Sequence, residues 1–264
     1  MIGLIAGGGK LPVMFAENAA SKGEKLVIVG INGLADPALR KLAAGYSEGN
    51  IFRLGEIIHT FKRAGVKKAA MLGRLEKIDL FSGFRPDFKT LRLVLSARDW
   101  RDTSLLKAMV GGFEREGIKI IPIDSFLKEL IAKKGVYTKR VPSASEMADI
   151  KFGLPVARAV TDLDIGQAVV VKNKCVLAVE AVERTNAALL RGGKFGGKNS
   201  VAIKTARTRQ DMRMDVPGIG VETVRTMIRA RISCIAIEAG KMLIVDLPAT
   251  VKLAEKHGIS IIAL

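Results

Sequence analysis

An α/β protein with two domains is predicted by the sequence: an N-terminal Rossmann-like parallel-sheet domain and a C-terminal mixed α/β domain. In the first half of the chain, apolar β-rich runs alternate with helical patterns, which is typical of βαβ units and a mostly parallel sheet. A stretch of small polar residues around Pro142 then interrupts the hydrophobic pattern before further strands and helices follow. The interruption predicts a domain boundary near residue 140.

The predicted elements follow in order along the chain. The first-half strands occupy residues 2–6, 25–30, 68–72 and 119–123, with helical patterns at residues 56–64 and 105–116. The second half has helical patterns at residues 149–160, 221–230 and 249–257, and strand-like runs at residues 167–172, 175–182, 201–204, 234–238, 242–245 and 259–263. These patterns predict a first domain at residues 1–137, a linker at 138–150 and a second domain at 151–264.

Two features of the second half have a specific local interpretation. Asn173 and Lys174 join two β-rich runs, which indicates a hairpin. Residues 191–200 contain four glycines in ten residues, and we expect them to form a loop.

The composition limits the classes of partner. The formal net charge is +17, so an anionic partner is expected: nucleic acid, an anionic membrane surface or a polyanionic small molecule. Part of the excess lies in residues 184–231, with eleven basic and three acidic residues. Cys175 and Cys234 both lie in apolar runs, which predicts buried reduced thiols and a reducing cytoplasm. The sequence lacks an apolar run long enough for a membrane-spanning helix.

The glycine turn Gly7, Gly8 and Gly9 follows the first predicted strand and precedes a helical segment. Backbone N–H groups at such a turn can bind a phosphate or a nucleotide. Pro12 stands where the third glycine of a dinucleotide fingerprint would be, so an oxidoreductase with a nucleotide cofactor is a weaker alternative.

Residues 204–223 combine two carboxylates, Asp211 and Asp215, with a run of cations. The two aspartates are four residues apart, and either a helix or a strand would point them the same way. Both could then reach one Mg²⁺ ion that also binds phosphate oxygens. A surface lattice of salt bridges with the neighbouring arginines explains the same pattern equally well.

A second alternative for this region is a nucleic-acid-binding helix-hairpin-helix. The sequence VPGIG before the helical pattern at residues 221–230 fits the hairpin. The preceding residues 205–216 are too charged for the apolar first helix of that motif, and the low aromatic content does not favour single-strand binding. This alternative is the main rival to phosphoryl chemistry.

Several segments, in order along nearly the whole chain, resemble the UDP-2,3-diacylglucosamine pyrophosphatases of the LpxI type. They are GLIAGGGKLP, LGEIIHTFKRAGV, the LGR and RPD turns, DIKFGLPVARAVTDLDIGQAVVV, VLAVEAVERTNAALL, QDMRMDVPGIGVETV, IEAG and HGISI. The resemblance implies a Rossmann-like half and a family-specific half with the substrate between them. It also implies hydrolysis of UDP-2,3-diacylglucosamine to UMP and lipid X in lipid A biosynthesis, with water attacking the sugar-side phosphorus.

The resemblance further implies roles for individual residues. Asp215 is the first catalytic candidate and Asp211 the second, and with Glu183 they are the candidate ligands of Mg²⁺ or another divalent cation. The implied substrate-binding residues are Gly7, Gly8, Gly9, Asp102, Thr185, Asn186, Lys204, Gln210, Arg213 and Thr223. Arg184 and Asn186 depart from the family pattern, which has glycine and aspartate there, and Asn186 would remove one charge from a metal site.

The implied partners are a lipid-linked UDP-sugar and the anionic surface of the inner membrane. We expect a cytoplasmic protein associated peripherally with that membrane, with no nucleic-acid partner and with a homodimer as its assembly.

Overall fold

The computed structural model describes residues 1–74, 87–96 and 102–264. Contacts divide the chain into two compact units. The first comprises Met1–Lys128 together with Asp211–Asp215, and the second comprises Glu129–Gln210 and Val216–Leu264. The predicted linker at 138–150 lies within the second unit, where a helix already begins at Ala144.

The first unit is built on a parallel sheet of five strands in the order β3-β2-β1-β4-β5. The strands are β1 (Ile2–Ala6), β2 (Leu26–Ile31), β3 (Gly45–Gly49), β4 (Lys68–Leu72) and β5 (Lys119–Ile120). Strands β1 and β2 are buried along their whole length, as expected for a parallel sheet covered on both faces.

Six helices accompany this sheet in the described residues. They are α1 (Leu11–Ser21), α2 (Leu39–Leu42), α3 (Leu54–Arg63), α4 (Phe88–Ser96), α5 (Asp102–Arg115) and α6 (Asp124–Leu127). Helix α3 buries one apolar stripe, which includes Ile57 and Phe61. Asp87, of the predicted RPD turn, accepts hydrogen bonds from the N–H groups of Gly55 and Thr90 and so joins the starts of α3 and α4. The other two residues of that turn, Arg85 and Pro86, lie outside the described residues.

A short segment from the second half of the sequence completes the first unit. Met214 is only 6% exposed and belongs to the apolar core formed by α3, α5 and the sheet. The N–H of Ile123 donates to the carbonyl of Met212 at 2.9 Å. Burial of Met214 and this backbone contact attach Asp211–Asp215 to the first unit.

The second unit contains a mixed sheet of six strands in the order β6-β13-β11-β9-β7-β8. Its strands are β6 (Gly135–Val136), β7 (Ala168–Lys172), β8 (Cys175–Val179), β9 (Val201–Lys204), β11 (Cys234–Ile237) and β13 (Ser260–Ala263). Strands β9, β11 and β13 are parallel, whereas β6, β7 and β8 pair antiparallel with their neighbours. A separate parallel pair is formed by β10 (Gly218–Ile219) and β12 (Leu243–Ile244).

Four α-helices cover the six-stranded sheet. They are α7 (Ala144–Asp162), α8 (Arg184–Gly196), α9 (Val221–Ala230) and α10 (Leu247–Lys256). Helix α7 packs on one face, against residues such as Val169 and Val171, and the other three helices belong to the core on the opposite face around Val170. A capping box begins α7, because the Ser143 hydroxyl accepts from the N–H of Glu146 and the Glu146 carboxylate accepts from the N–H of Ser143.

The predicted fold class is confirmed, and three local predictions are wrong. Residues 191–196 are not a loop but the end of α8, because Gly192 and Gly193 allow that helix to contact Val170 and Ala230 directly. The second strand of the hairpin ends at Val179, so Glu180 and Glu183 lie beyond it. Cys175 is exposed at the start of β8, and only Cys234 is buried; both are free thiols.

Candidate functional site

The carboxyl edge of the parallel strands in the second unit carries a group of buried charges. Lys204 ends β9 and is 8% exposed, Glu238 follows β11 and is 5% exposed, and Glu180 follows β8 and is 7% exposed. The register places them together, because Lys204 pairs with Ile237 on one side and with Ala168 on the other. Ligands of open α/β sheets bind beyond this edge.

The loop that leaves β9 is held by three carboxylates. Glu238 accepts a hydrogen bond from the N–H of Ala206 at 2.9 Å. Asp164 accepts two hydrogen bonds from the guanidinium of Arg207, at 2.6 and 3.2 Å. These anchors fix the backbone that leads from β9 toward Gln210.

The third carboxylate, Asp162 at the end of α7, binds Thr208. It accepts from the Thr208 N–H at 2.7 Å and from the Thr208 hydroxyl at 2.6 Å. The hydroxyl hydrogen bond, followed by the backbone one, lowers the pKa of Asp162. Arg158, one helical turn earlier, donates to Glu238 at 2.9 Å and orients it. One end of α7 therefore positions the loop.

Asp211 and Arg213 form a close ion pair within the first unit. The guanidinium of Arg213 donates to both carboxylate oxygens of Asp211, at 2.8 to 3.2 Å, and the Arg213 N–H donates to Asp211 as well. Arg213 also donates to Glu114 of α5 at 2.9 Å. The Arg213 side-chain hydrogen bonds, opposed by partial burial, lower the pKa of Asp211, and the same contact raises the pKa of Arg213. The predicted salt-bridge lattice is thus present at Asp211.

Asp215 differs from Asp211 in its backbone and its exposure. Its φ of 47° lies in the left-handed region, which aspartate adopts more readily than most residues. Its side chain is exposed. The segment is neither a helix nor a strand, so the expectation that regular geometry aligns Asp211 with Asp215 is wrong.

The other predicted site residues within positions 204–223 are Lys204, Gln210 and Thr223, and they lie in the second unit. The Lys204 ammonium donates to the carbonyl of Gly218 at 3.1 Å. The Gln210 side chain accepts from the N–H of Arg207 at 3.4 Å. The Thr223 hydroxyl accepts from the N–H of Gly220 at 3.4 Å, which helps to begin α9.

The predicted residues near α8 have distinct surroundings. Thr185 donates its hydroxyl to the buried Glu180 at 2.9 Å. Glu183 accepts hydrogen bonds from Arg191 and from the N–H of Ala181. Backbone hydrogen bonding at Glu183, opposed by burial and assisted by the Arg191 contact, lowers the pKa of Glu183. Asn186 is exposed on α8.

The predicted glycine turn lies where the strand order of the first unit reverses, between β1 and β4. The N–H of Gly7 donates to Leu72 at 2.7 Å and that of Gly8 to Arg74 at 3.0 Å. A Cβ on Gly7 would lie 2.7 Å from the Arg74 carbonyl oxygen, so glycine is required here for close approach of two backbones. Gly9 has a φ of 96°, and Asp102 is the first residue of α5.

The structure bears on two interpretations of this sequence region, a metal site and a helix-hairpin-helix. Within the described ranges, no group of three or more His, Cys, Asp or Glu side chains could by itself hold a metal ion. All residues from 205 to 217 are described, and none of them is helical. The helix-hairpin-helix alternative therefore lacks its first helix, and Gly218 and Ile219 of its hairpin form β10 instead.

The sequence reasoning missed Asp162, Asp164 and Glu238 as residues that shape this region. A signal for Glu238 was available, because it directly follows an apolar strand-like run, where a parallel sheet presents its carboxyl edge. No comparable signal marks Asp162 and Asp164, whose partners are more than forty positions away in sequence.

Comparisons with known proteins identify the family. The LpxI N-terminal domain model matches residues 1–130, and the LpxI C-terminal domain model matches residues 133–262. A protein of Caulobacter vibrioides named UDP-2,3-diacylglucosamine pyrophosphatase LpxI is 33% identical over 99% of this chain and 96% of its own length. The chain belongs to the LpxI family.

Membership in the LpxI family confirms the resemblance and the predicted enzyme class, a hydrolase. The boundary between the two LpxI models, near residue 131, falls close to the division of contacts after Lys128. Within the described residues, no helix has the length and apolar character needed to cross a membrane.

Proposed function

We propose that this protein hydrolyses the pyrophosphate bond of UDP-2,3-diacylglucosamine to UMP and 2,3-diacylglucosamine 1-phosphate (lipid X) in lipid A biosynthesis. The observation that carries the proposal is the similarity, along nearly the whole chain, to a pyrophosphatase of that name. The charges at the candidate site support it, because a diphosphate requires cations that are held in place before it binds.

Arg213 and Lys204 are the residues that we propose to bind phosphate oxygens. Arg213 is bonded to two carboxylates, Asp211 and Glu114, so its guanidinium is already oriented and loses little conformational freedom on binding a ligand. Lys204 is buried at the edge of a sheet, where low exposure strengthens its attraction to an anion. Gln210, Thr185, Asn186 and Thr223 would add neutral hydrogen bonds.

Asp215 is the residue that we propose to carry the chemistry. Its carboxylate would accept a proton from the attacking water as the water oxygen bonds to the sugar-side phosphorus and the bond from that phosphorus to the bridging oxygen breaks. UMP leaves with the bridging oxygen. Asp211 is the second candidate, although its engagement with Arg213 fits a role in orienting that cation.

The carboxylates of this region support the proposal of a divalent cation that arrives with the substrate. Mg²⁺ usually binds one or two carboxylates together with substrate phosphates, and a cage made only of protein ligands is uncommon. Asp211 and Asp215 lie in one short segment of the first unit. Asp215 would supply such oxygens, and Asp211 and Glu183, the other predicted ligands, would each exchange a hydrogen bond from arginine for the metal. When bound, Mg²⁺ would neutralise phosphate charge and lower the pKa of a bound water.

The lipid substrate and the net charge of +17 also support peripheral association with an anionic membrane surface from the cytoplasmic side. A homodimer and the lack of a nucleic-acid partner belong to the same proposal.

The test of the proposed function is the release of UMP from UDP-2,3-diacylglucosamine dispersed in detergent. We expect UMP and lipid X in equal amounts with Mg²⁺ and a loss of at least about a hundredfold in rate with EDTA. A lack of UMP under both conditions would overturn the function. Full activity in EDTA would overturn only the metal dependence.

Hydrolysis in ¹⁸O-labelled water tests which phosphorus is attacked. Attack on the sugar-side phosphorus places the label in lipid X and leaves UMP unlabelled. Label in UMP would contradict that part of the proposal and leave the overall reaction standing.

A further inference from the structure

A surface groove in the second unit lies at the opposite edge of the sheet from the candidate site. It has a volume of about 390 Å³, and we call it the Phe195 groove; its side chains are Leu190, Lys194 and Phe195 of α8 with Arg229 and Arg231 at the end of α9. Helix α8 ends just before β9 begins, and α9 ends just before β11 begins. The groove therefore lies at the amino edge of these strands, whereas the loop after Lys204 leaves their carboxyl edge.

The apolar side chains of the groove are held outward by the packing of α8. Phe195 is 69% exposed and Leu190 is 40% exposed. The opposite face of the helix consists of small residues, and Gly192, Gly193 and Gly196 contact Val170, Ala230 and Leu177 directly. Rotating the helix to bury Phe195 would require space that these contacts do not leave.

Within the part of the chain that the structure describes, the cations of the groove have no carboxylate partner. Among the described residues, Lys194, Arg229 and Arg231 form no ion pair, and the Arg229 side chain donates only to the Thr226 hydroxyl at 3.3 Å. Arg191 and Arg225, which lie nearby in sequence, are by contrast paired with Glu183 and Glu222. Three positive charges that no described carboxylate pairs with thus surround an exposed phenylalanine.

We propose that the Phe195 groove is the surface by which this protein binds an anionic phospholipid bilayer. The cations would contact lipid phosphates, and Phe195 with Leu190 would enter the boundary between headgroups and acyl chains. Charge complementarity favours this occupant over a second copy of the chain, which would bring identical cations together. The inference rests on the membrane-lipid substrate of the proposed function and identifies the surface that contacts the membrane.

Sedimentation with vesicles tests the proposal on the full-length protein. Vesicles of equal parts phosphatidylcholine and phosphatidylglycerol should bind the wild-type protein, and vesicles of phosphatidylcholine alone should not. Phe195→Ser should weaken binding roughly tenfold. The triple variant K194Q, R229Q and R231Q should weaken it by about five-fold for each charge removed, or roughly a hundredfold in total.

Matched controls distinguish binding at this surface from nonspecific hydrophobic adsorption and from an effect of net charge alone. Phe88→Ser removes another exposed phenylalanine, 74% exposed, and the variant K139Q, K252Q and K256Q removes three exposed lysines of the same unit. Both controls should bind anionic vesicles within about two-fold of the wild type. Equal losses in the controls and the groove variants, or equal binding to neutral vesicles, would overturn the proposal.

Hydrolysis of detergent-dispersed substrate separates this inference from the proposed function. The groove variants should retain wild-type UMP release under that condition, because their substitutions lie at the far edge of the sheet. Vesicle binding without hydrolysis in the wild-type protein would overturn the function and leave the surface standing. Preferential binding of RNA over anionic vesicles at the groove would overturn the membrane assignment.

Discussion

Asp211 and Asp215 are separated by three residues, yet their surroundings differ. Arg213 binds both oxygens of Asp211, so that carboxylate is already neutralised within the fold. Asp215 is exposed and has a left-handed backbone. The solvent exposure of Asp215 supports it as the proposed proton acceptor, and the pairing of Asp211 supports that residue as the one that orients Arg213.

Asp215→Asn should reduce kcat by about 10²–10⁴-fold with little change in Tm, because it removes a reactive carboxylate but keeps a residue that tolerates a positive φ. Asparagine is the sharper substitution, since alanine would add backbone strain at a φ of 47°. Near-normal turnover in this variant, measured as UMP release, would move the role to Asp211. The matched Asp211→Asn variant reports on that alternative.

The ion pair of Asp211 also predicts how stability depends on pH. Its folded pKa is lowered, chiefly by the Arg213 side chain, so the stabilisation is complete above the unfolded pKa and disappears as pH falls through the folded value. Arg213→Gln should lower the free energy of unfolding by at most about 1 kcal/mol at neutral pH, because the pair is partly exposed.

Urea unfolding near pH 7 and near pH 3 measures this dependence. The difference between Arg213→Gln and the wild type should shrink at the acidic pH. Glu114→Gln serves as the control, since it removes the other partner of Arg213 and leaves the pair with Asp211 in place. A difference that is constant with pH would contradict the ion-pair account.

Among the secondary-structure elements, α7 has more than one function in the structure. Its start is fixed by the capping box of Ser143 and Glu146, and its end supplies Asp162 to the loop after β9. Glu146 is buried, which by itself would raise its pKa, but hydrogen bonds from Arg140 and Ser233 lower the pKa overall. The helix is therefore fixed at its start by a bound carboxylate and at its end by the loop.

Glu238→Gln tests whether the loop after β9 must be positioned for catalysis. Glutamine keeps the shape but removes the charge that Arg158 and the Ala206 N–H both contact. We expect kcat to fall by about tenfold, because Lys204 and Gln210 flank this loop, while KM and the pH profile of kcat change little.

The control for Glu238→Gln is Arg225→Gln, which breaks the exposed pair of Arg225 with Glu222 and leaves the loop anchors unchanged. Glu238→Asp should restore part of the activity. A kcat equal to that of the wild type in Glu238→Gln would show that the anchor is not needed for turnover. A new pH dependence of kcat would instead assign Glu238 a role in proton transfer.

At the scale of the whole molecule, each compact unit is built from two separate segments of the chain. The chain leaves the first unit after Lys128, returns for Asp211–Asp215 and then rejoins the second unit. The candidate catalytic segment is thus part of the first unit, although the C-terminal LpxI model spans it in sequence.

Met214→Ala should destabilise the first unit by about 2–3 kcal/mol, because Met214 is buried in that core. It should also lower activity, since the same side chain anchors Asp211–Asp215. Met214→Leu conserves the volume and should cost less than about 1.5 kcal/mol. Urea unfolding and UMP release, measured on both variants, check this prediction; equal stability of the alanine variant and the wild type would contradict it.

Much of the fold followed from the sequence because apolar periodicity is a local signal. The strands β1, β4 and β9 were predicted with the bounds that the structure gives them. Strand β3 and helix α8 were not predicted: β3 is only partly buried, with the sequence GYSEG, and α8 contains three glycines, which favour a loop when considered alone. Tertiary packing on small residues overrides that preference.

The sequence by itself determined the α/β class, the ordered segments that resemble the LpxI family and the clustering of carboxylates and cations in residues 204–223. Only the tertiary structure decided that Asp211 is paired with Arg213, that Glu238, Asp162 and Asp164 hold the loop after β9, and that Asp211–Asp215 belongs to the first unit. The physical reason is the distance along the sequence between the residues that interact. Hydrophobic periodicity and motif order are written in neighbouring residues, whereas ion pairs and the burial of Met214 depend on residues that folding brings together from distant parts of the chain.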